Sequence, residues 1–344
     1  MGKRYSLCLY LAGAVVARAG DEMSGPALML AGFAVAGSTV EASSLLAGIT
    51  ISAAVGGPVL GALLDRAGRP GRLLAGALVL YAVGLGMILV GLGRWPFTVT
   101  IVIAVVTGLL GPALSGGWTA QLPRVMVGDR LPRANALDAM TFSVASLAGP
   151  ALAGIVAEAL GAPSAVVVSV VLITSALPAA WTLPVRPGRA GGVQTTSVIN
   201  DLAAGIRIIV GRPPLARATL TSVVCCVAQG MLTACIPLLG ERVLGGAGRG
   251  AVLLSCAAVS ALVANAVLAR FPRSVAPETI IWASALTQAV ALALASAGSP
   301  VMLIVAVLIA GVGEGPQLAA LFALRHREAP VNRPGFDRDL RLWL

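Results

Sequence analysis

Ten long apolar stretches, separated by short connections rich in Pro, Gly and charge, dominate the sequence. Each is close to the roughly 20 residues that a helix needs to cross about 30 Å of hydrocarbon. They are residues 6–36, 43–64, 73–93, 97–118, 137–160, 163–184, 215–239, 250–269, 278–297 and 300–323. Only 11% of the residues are charged, against about 25% in soluble domains. The sequence therefore predicts an all-α integral membrane protein with about ten transmembrane helices.

The basic residues lie almost entirely on one side of these stretches. Twenty of the 24 Lys and Arg residues occur at the two termini and in four alternate connections, whereas the other side has only Arg94, Arg242 and Arg249. The positive-inside rule then predicts a multi-pass protein of the cell membrane with both termini in the cytoplasm. Because orientation explains the formal charge of +10, we expect no nucleic-acid partner. The alternative for the N-terminus is a signal peptide cleaved near Ala17-Arg18-Ala19.

The longest cytoplasmic connection, Arg186 to Pro214, separates six predicted spans from four. We expect an N-terminal six-helix bundle (1–185), a linker (186–214), an incomplete C-terminal bundle of four helices (215–324) and a charged cytoplasmic tail (325–344). Apolar residues recur at helical spacing within the linker: Ile199, Leu202, Ile206 and Ile209. This spacing predicts either a short amphipathic helix on the inner leaflet or an ordinary solvated linker helix.

The connection between the second and third spans is unusually charged, with the sequence GALLDRAGRPGR. Its residues Gly61, Asp65, Arg66, Gly68 and Arg69 form the pattern G-x-x-x-D-R-x-G-R, which resembles the loop signature of the major facilitator superfamily. Pro70 stands where that family usually has another basic residue, and Arg72 supplies one two positions later. The glycines allow the helices and their turn to approach closely, and Asp65 can accept hydrogen bonds from backbone N–H groups or neighbouring arginines. The loop is expected either to latch one transporter conformation or only to fix the topology.

Further segments extend this resemblance. Gly149, Pro150 and Gly154 form a G-P-x-x-x-G element in the fifth span, similar to that of antiporters, and Arg18 to Asp21 is similar to a segment of efflux proteins for siderophores and macrolides. The resemblance implies two bundles that rock around a midplane site and exchange protons for a hydrophobic or amphiphilic small molecule. It further implies a monomer without cofactor or metal. From the residues alone, the glycine–proline element fits a hinge or simple helix packing equally well.

Charged residues inside the predicted spans are the main candidates for coupling. A charge at the centre of a membrane helix costs roughly 2.5–3.5 kcal/mol, so it is expected to face protein or a water-filled cavity. Arg18 can pair with Asp21 or Glu22 on its own helix, which would leave the other carboxylate free to take up a proton. Glu314 lies among glycines and a proline, which predict a locally irregular helix lining a cavity. Asp138 is expected to stabilise the N-terminus of its helix.

Uncharged polar residues provide weaker candidates for a substrate cavity, because each could equally bridge two helices by hydrogen bonds. They are Gln229, Asn265, Gln288 and Gln317. The five cysteines lie in apolar stretches without metal-ligand spacing, and the single histidine, His326, has no second ligand beside it. The sequence contains no nucleotide-binding motif and no catalytic constellation. It therefore predicts a secondary transporter, with an integral-membrane enzyme as the less favoured alternative.

The end of the sequence departs from the resemblance. The family has two six-helix halves, whereas only four spans follow the linker, and the last segment, VNRPGFDRDLRLWL, is too short and charged to span a membrane. We therefore expect a chain that lacks its last two helices and is impaired as a transporter, or a non-functional remnant. An authentic ten-helix protein is the alternative.

Overall fold

The computed structural model describes residues 7–126, 131–184, 207, 210–270 and 276–328. The elements assigned in these ranges are helical. In chain order they are α1 (Leu7–Ala36), α2 (Thr39–Arg66), α3 (Pro70–Gly91), α4 (Phe97–Gly108), a 3-10 turn (Gly111–Ala113), α5 (Gly116–Thr119), α6 (Leu122–Val125), α7 (Leu131–Leu160), α8 (Ala162–Ser175), α9 (Leu177–Trp181), α10 (Pro213–Leu244), α11 (Ala247–Arg270), α12 (Pro277–Ala295) and α13 (Pro300–Glu328).

Nine helical segments of the described chain are long and apolar enough to cross a membrane. They are Thr39–Gly61, Pro70–Gly91, Phe97–Val125, Leu137–Leu160, Ala162–Trp181, Pro213–Leu244, Ala247–Leu268, Pro277–Ala295 and Pro300–Gln317. They match nine of the ten predicted stretches. The remaining predicted stretch, 6–36, corresponds to α1. This is a continuous helix of 30 residues, but Arg18, Asp21 and Glu22 interrupt its apolar sequence. The predicted all-α membrane architecture is thus confirmed.

Helix boundaries follow the local sequence. Ser38 caps α2, where its side chain accepts a hydrogen bond from the backbone N–H of Glu41. Pro70 occupies the first turn of α3, a position where the missing N–H carries no penalty. Gly245 ends α10 in the left-handed conformation, with φ of 74°. These signals place short turns between long helices.

Two of the spans are broken rather than continuous. The fourth runs through α4, the 3-10 turn, α5 and α6, and its breaks coincide with a glycine-rich sequence, TGLLGPALSGG. The sixth changes from α8 to α9 at Ala176, two residues before Pro178. Proline lacks a backbone N–H and therefore interrupts the hydrogen-bond ladder of a helix.

The described helices divide into two compact units, α1–α9 and α10–α13. In the N-terminal unit, α1 packs mainly against α7 and α8, and α2 packs against α4. Its core includes Leu28, Leu78, Leu85 and Trp118, all fully buried. In the C-terminal unit, α13 packs against both α11 and α12. The predicted amphipathic segment of the linker and the charged tail lie outside the described residues.

Candidate functional site

Among the described residues, the most deeply buried charges form an ion pair between α1 and α7. Nη1 of Arg18 lies 2.9 Å from Oδ1 of Asp138, and Nη2 lies 3.3 Å from Oδ2. The side chains are only 1% and 3% exposed. Arg18 thus engages both carboxylate oxygens, a geometry that favours Arg over Lys.

Several polar groups complete this cluster. The Thr119 hydroxyl donates to Oδ2 of Asp138 at 2.8 Å and accepts from Nη2 of Arg18 at 2.9 Å. The Tyr10 hydroxyl lies 3.0 Å from Oδ1 of Asp138 and 2.9 Å from the carbonyl oxygen of Trp118. The guanidinium also lies 3.7 Å from the centre of the Phe142 ring. The cluster therefore ties α1, α5 and α7 together.

Two predictions from the sequence were wrong at this point. Arg18 does not pair with Asp21 or Glu22, because its side chain extends from α1 towards α7 instead. Asp138 does not stabilise a helix start, because α7 begins at Leu131 and places Asp138 about two turns inside the helix. Its carboxylate neutralises a buried guanidinium 120 residues away in sequence.

Asp21 has different surroundings. The hydroxyl of Tyr81 donates to its Oδ1 at 2.9 Å, and Tyr81 is 1% exposed. The Ser24 hydroxyl lies 3.1 Å from the Tyr81 hydroxyl and donates to the backbone carbonyl of Asp21 at 2.7 Å. Within the described part of the chain, no cationic side chain pairs with Asp21. Reasoning from the sequence missed Tyr81, although a tyrosine hydroxyl in the middle of an apolar stretch is a usable signal.

Glu22 lies at a close contact between α1 and α7. The Ser146 hydroxyl donates to its Oε1 at 3.2 Å. A Cβ at Gly149 would lie 2.6 Å from Cβ of Glu22 and 2.8 Å from its carbonyl carbon. Gly149 thus allows α7 to contact α1 directly at the charged segment. Pro150 and Gly154 are buried further along the same helix.

The charged loop connects α2 to α3 through Ala67, Gly68 and Arg69. The side chains of Asp65 and Arg66 lie outside the described residues, whereas Gly68, Arg69 and Arg72 are exposed. No described atom lies within 4 Å of the position of a Cβ at Gly68. The predicted close approach at this glycine is therefore not seen among the described residues.

A glycine outside the quoted pattern makes the close contact near this loop. A Cβ at Gly71 would lie 2.5 Å from the carbonyl oxygen of Ala180. Gly61, at the other end of the pattern, is partly buried in α2. The start of α3 therefore packs directly on α9.

The polar candidates of the C-terminal unit lie on three helices. Nε2 of Gln229 on α10 donates to Oε2 of Glu314 on α13 at 2.9 Å. Nε2 of Gln288 donates to Oε1 of Gln317 at 3.1 Å, which joins α12 to α13. Asn265 on α11 lies close to α13, since its Nδ2 would be 2.8 Å from a Cβ at Gly315. The structure thus forms two separate hydrogen-bonded pairs, Gln229 with Glu314 and Gln288 with Gln317.

The glycines around Glu314 have another role than predicted. Helix α13 is continuous from Pro300 to Glu328, with Pro316 inside it. A Cβ at Gly311 would lie 2.1 Å from the carbonyl oxygen of Ala257 on α11, and one at Gly313 would lie 2.4 Å from Oγ1 of Thr287 on α12. The expected local irregularity of the helix is absent from this described segment, and the glycines instead allow tight helix packing.

Among the described residues, no group of three or more Asp, Glu, His or Cys side chains could hold a metal ion. A family model described as Major Facilitator Superfamily matches residues 10–336. The chain belongs to the Major Facilitator Superfamily.

A curated member of the Major Facilitator Superfamily resembles part of the chain. It is described as the uncharacterized MFS-type transporter y4rN of Sinorhizobium fredii (strain NBRC 101917 / NGR234), and it is 28% identical over 202 residues. The match covers 57% of this chain and 49% of the relative. The chain thus spans about half the length of the curated relative that it matches.

Solved structures of transporters share the fold. One is a bacterial homologue of the human lysosomal transporter Spinster, in an inward-facing and unoccupied conformation (TM-score 0.70, 15% identity, 100% of this chain and 80% of that chain). A second is the nucleoside transporter NupG as a D323A mutant (TM-score 0.70, 12% identity, 97% of this chain and 86% of that chain). A third is a bacterial homologue of the iron transporter ferroportin in an inward-facing state (TM-score 0.67, 17% identity, 97% of this chain and 87% of that chain). This chain therefore shares the fold of these transporters.

Proposed function

We propose that the protein is a proton-coupled exporter of hydrophobic or amphiphilic small molecules, with both termini in the cytoplasm. One observation carries the proposal: among the described residues, Asp21 on α1 has the Tyr81 hydroxyl as its partner instead of a cation. The nearby positive charge of Arg18 is already neutralised by Asp138. Asp21 is thereby left available for a proton.

The surroundings of Asp21 suit a residue that gains and loses a proton. Holding a charge within hydrocarbon is costly, at roughly 2.5–3.5 kcal/mol on insertion scales, and protonation removes that charge. The Tyr81 hydroxyl, 2.9 Å from Oδ1, can donate to a carboxylate oxygen and equally to the carbonyl oxygen of a carboxylic acid. Asp21 therefore keeps its hydrogen bond through a proton cycle.

Glu22 and Glu314 are the further proton carriers that we propose. Both accept hydrogen bonds from uncharged donors, the Ser146 hydroxyl and the Gln229 amide. Because both donors are uncharged, protonation of either carboxylate would lower the cost of holding it in a membrane. Gln288, Gln317 and Asn265 are the candidates for substrate contacts.

Export is supported by the sequence resemblance to antiporters, which includes Gly149, Pro150 and Gly154. Solved structures with this fold include a nucleoside transporter, a peptide transporter and a homologue of an iron transporter, so the fold alone leaves the solute open. The hydrophobic or amphiphilic substrate class rests on the resemblance to exporters.

The test is transport of the fluorescent amphiphile ethidium by the full chain in proteoliposomes under an imposed pH gradient. We expect gradient-dependent movement for the native protein, and its loss in Asp21→Asn and in Glu314→Gln. Glu241→Gln is the matched control, because Glu241 is an exposed carboxylate near the end of α10. If both coupling variants still respond to the pH gradient, these carboxylates do not carry the protons. If ethidium moves without any gradient, proton coupling itself is wrong.

A further inference from the structure

The N-terminal unit has a groove on its surface, between α3 and α9. Its volume is about 620 Å³. Arg72 lies at one end, Gly76 and Leu80 line the α3 side, and Leu177 and Trp181 line the α9 side. The walls are almost entirely apolar except at the Arg72 end. None of the residues proposed for proton coupling borders it.

The groove is open to the surroundings of the helices. Leu80 and Trp181 are each 60% exposed, and these helices belong to candidate membrane spans, so hydrocarbon is the medium that meets such a surface. From residue 72 to residue 80, α3 rises about 12 Å. One leaflet contributes about 15 Å of hydrocarbon, so the groove runs along most of one leaflet.

Arg72 gives the groove a positive charge at a defined depth. Its guanidinium carbon lies 5.5 Å from the centre of the Trp181 ring, within the range of a cation–π contact. The residue is exposed and belongs to the first turn of α3, beside the α2–α3 connection. Stacking on a ring fixes the plane of a guanidinium while its N–H groups remain able to donate at the edge. An arginine and a tryptophan at this depth suit the boundary between headgroups and hydrocarbon.

We propose that this groove binds an anionic phospholipid. Its phosphate is held by Arg72, and one acyl chain lies along Gly76 and Leu80 against Trp181. Charge complementarity identifies the occupant. The groove is positive at headgroup depth, where a lipid phosphate lies, and its apolar part is as long as one leaflet, where an acyl chain lies. An apolar transmembrane helix of another protein, or the apolar helices of a second copy of this chain, would fill the apolar part but would offer no anion to the guanidinium. Because the orientation proposed above puts the α2–α3 loop in the cytoplasm, the lipid belongs to the inner leaflet, which carries anionic lipids.

The role of Gly76 follows from its position. A Cβ at this residue would meet no described atom within 4 Å, so the missing side chain leaves the middle of the groove open. A larger residue fits without a clash and would occupy the volume of the acyl chain. The proposal does not depend on transport, on its direction or on protons.

Native mass spectrometry of the purified full chain tests the proposal, with palmitoyl-oleoyl phosphatidylglycerol and phosphatidylcholine as probes. We expect a saturable phosphatidylglycerol adduct in preference to phosphatidylcholine. Arg72→Gln should weaken that adduct about fivefold, as expected for one basic side chain at a membrane surface. Arg94→Gln is the matched control, because it removes an exposed arginine beyond the other end of α3. Equal weakening by the two substitutions would overturn the proposal.

A second pair of variants tests the apolar part of the groove. Gly76→Leu should abolish the adduct, whereas Gly86→Leu should retain it, because Gly86 also has open space around it but does not line the groove. Helical circular dichroism and gel filtration verify that both variants are folded. An unchanged phosphatidylglycerol adduct in Gly76→Leu would refute the proposed acyl-chain position. A dimer that disappears only in Gly76→Leu would instead assign the groove to a second copy of the chain.

Discussion

Removing the charge of Asp138 should destabilise the N-terminal unit more than removing any other carboxylate on α1 or α7. In Asp138→Asn the guanidinium of Arg18, which is 1% exposed, keeps its charge and loses its counterion. Thr119 and Tyr10, which contact the carboxylate, must also reorganise around an amide. The substitution therefore affects α1, α5 and α7 together.

The expected magnitude follows from the burial of the pair. Breaking a buried ion pair by removing one partner typically costs about 3–5 kcal/mol, because an uncompensated charge stays inside. For a folding unit of this size, that cost corresponds to a fall in melting temperature of roughly 6–20 °C. Asp21→Asn is the matched comparison: it keeps an amide oxygen for the Tyr81 hydroxyl and should cost about 1 kcal/mol or less.

Thermal unfolding in detergent, followed by tryptophan fluorescence, provides the measurement. Trp118 is a suitable reporter, because its ring lies 5.8 Å from that of Tyr10 within the cluster. The double variant Arg18→Gln/Asp138→Asn buries no net charge and should melt above Asp138→Asn. Equal melting temperatures for Asp138→Asn and Asp21→Asn would refute the reasoning. The reasoning would also be refuted if the double variant lost more stability than the two single variants together.

Two further predictions concern topology and packing. After replacement of the five native cysteines, an impermeant maleimide should label a cysteine introduced at position 94 in intact cells, but not one introduced at position 68. Both should be labelled after permeabilisation. The reverse pattern in intact cells would reject the proposed orientation. Gly149→Leu should lower the stability by about 1–3 kcal/mol through overpacking against Glu22, whereas Gly86→Leu, with open space around it, should melt like the native protein. Equal stability of these two variants would show that the contact between α1 and α7 is not as close as described.

The spans were predictable because hydrocarbon thickness fixes the length of an apolar stretch. The same argument could not reveal how closely the fourth span approaches α2 at Gly108. A Cβ at Gly108 would lie 2.3 Å from the carbonyl oxygen of Ile49 on α2. Only the lateral arrangement of the helices creates that contact, and hydropathy along the chain does not record it.

The candidate site was predictable in its residues but not in its pairings. Arg18, Asp21 and Glu22 are conspicuous as charges in an apolar stretch, and each has a polar partner in the structure. Their partners lie on α3 and α7, because successive residues of α1 face different neighbours around the helix. Sequence spacing favoured pairs within α1 and therefore missed Asp138, Tyr81 and Ser146.

The glycine contacts of α13 limit how the C-terminal unit can move. Gly311 faces α11 and Gly313 faces α12, with backbone or side-chain atoms in direct contact on both sides. Rotation of α13 about its own axis would drive neighbouring side chains into these contacts, so we expect α11, α12 and α13 to move as a single body. Glu314 lies within this glycine segment. We therefore expect its access to water to change by displacement of the three-helix body, and not by a local twist of its own helix.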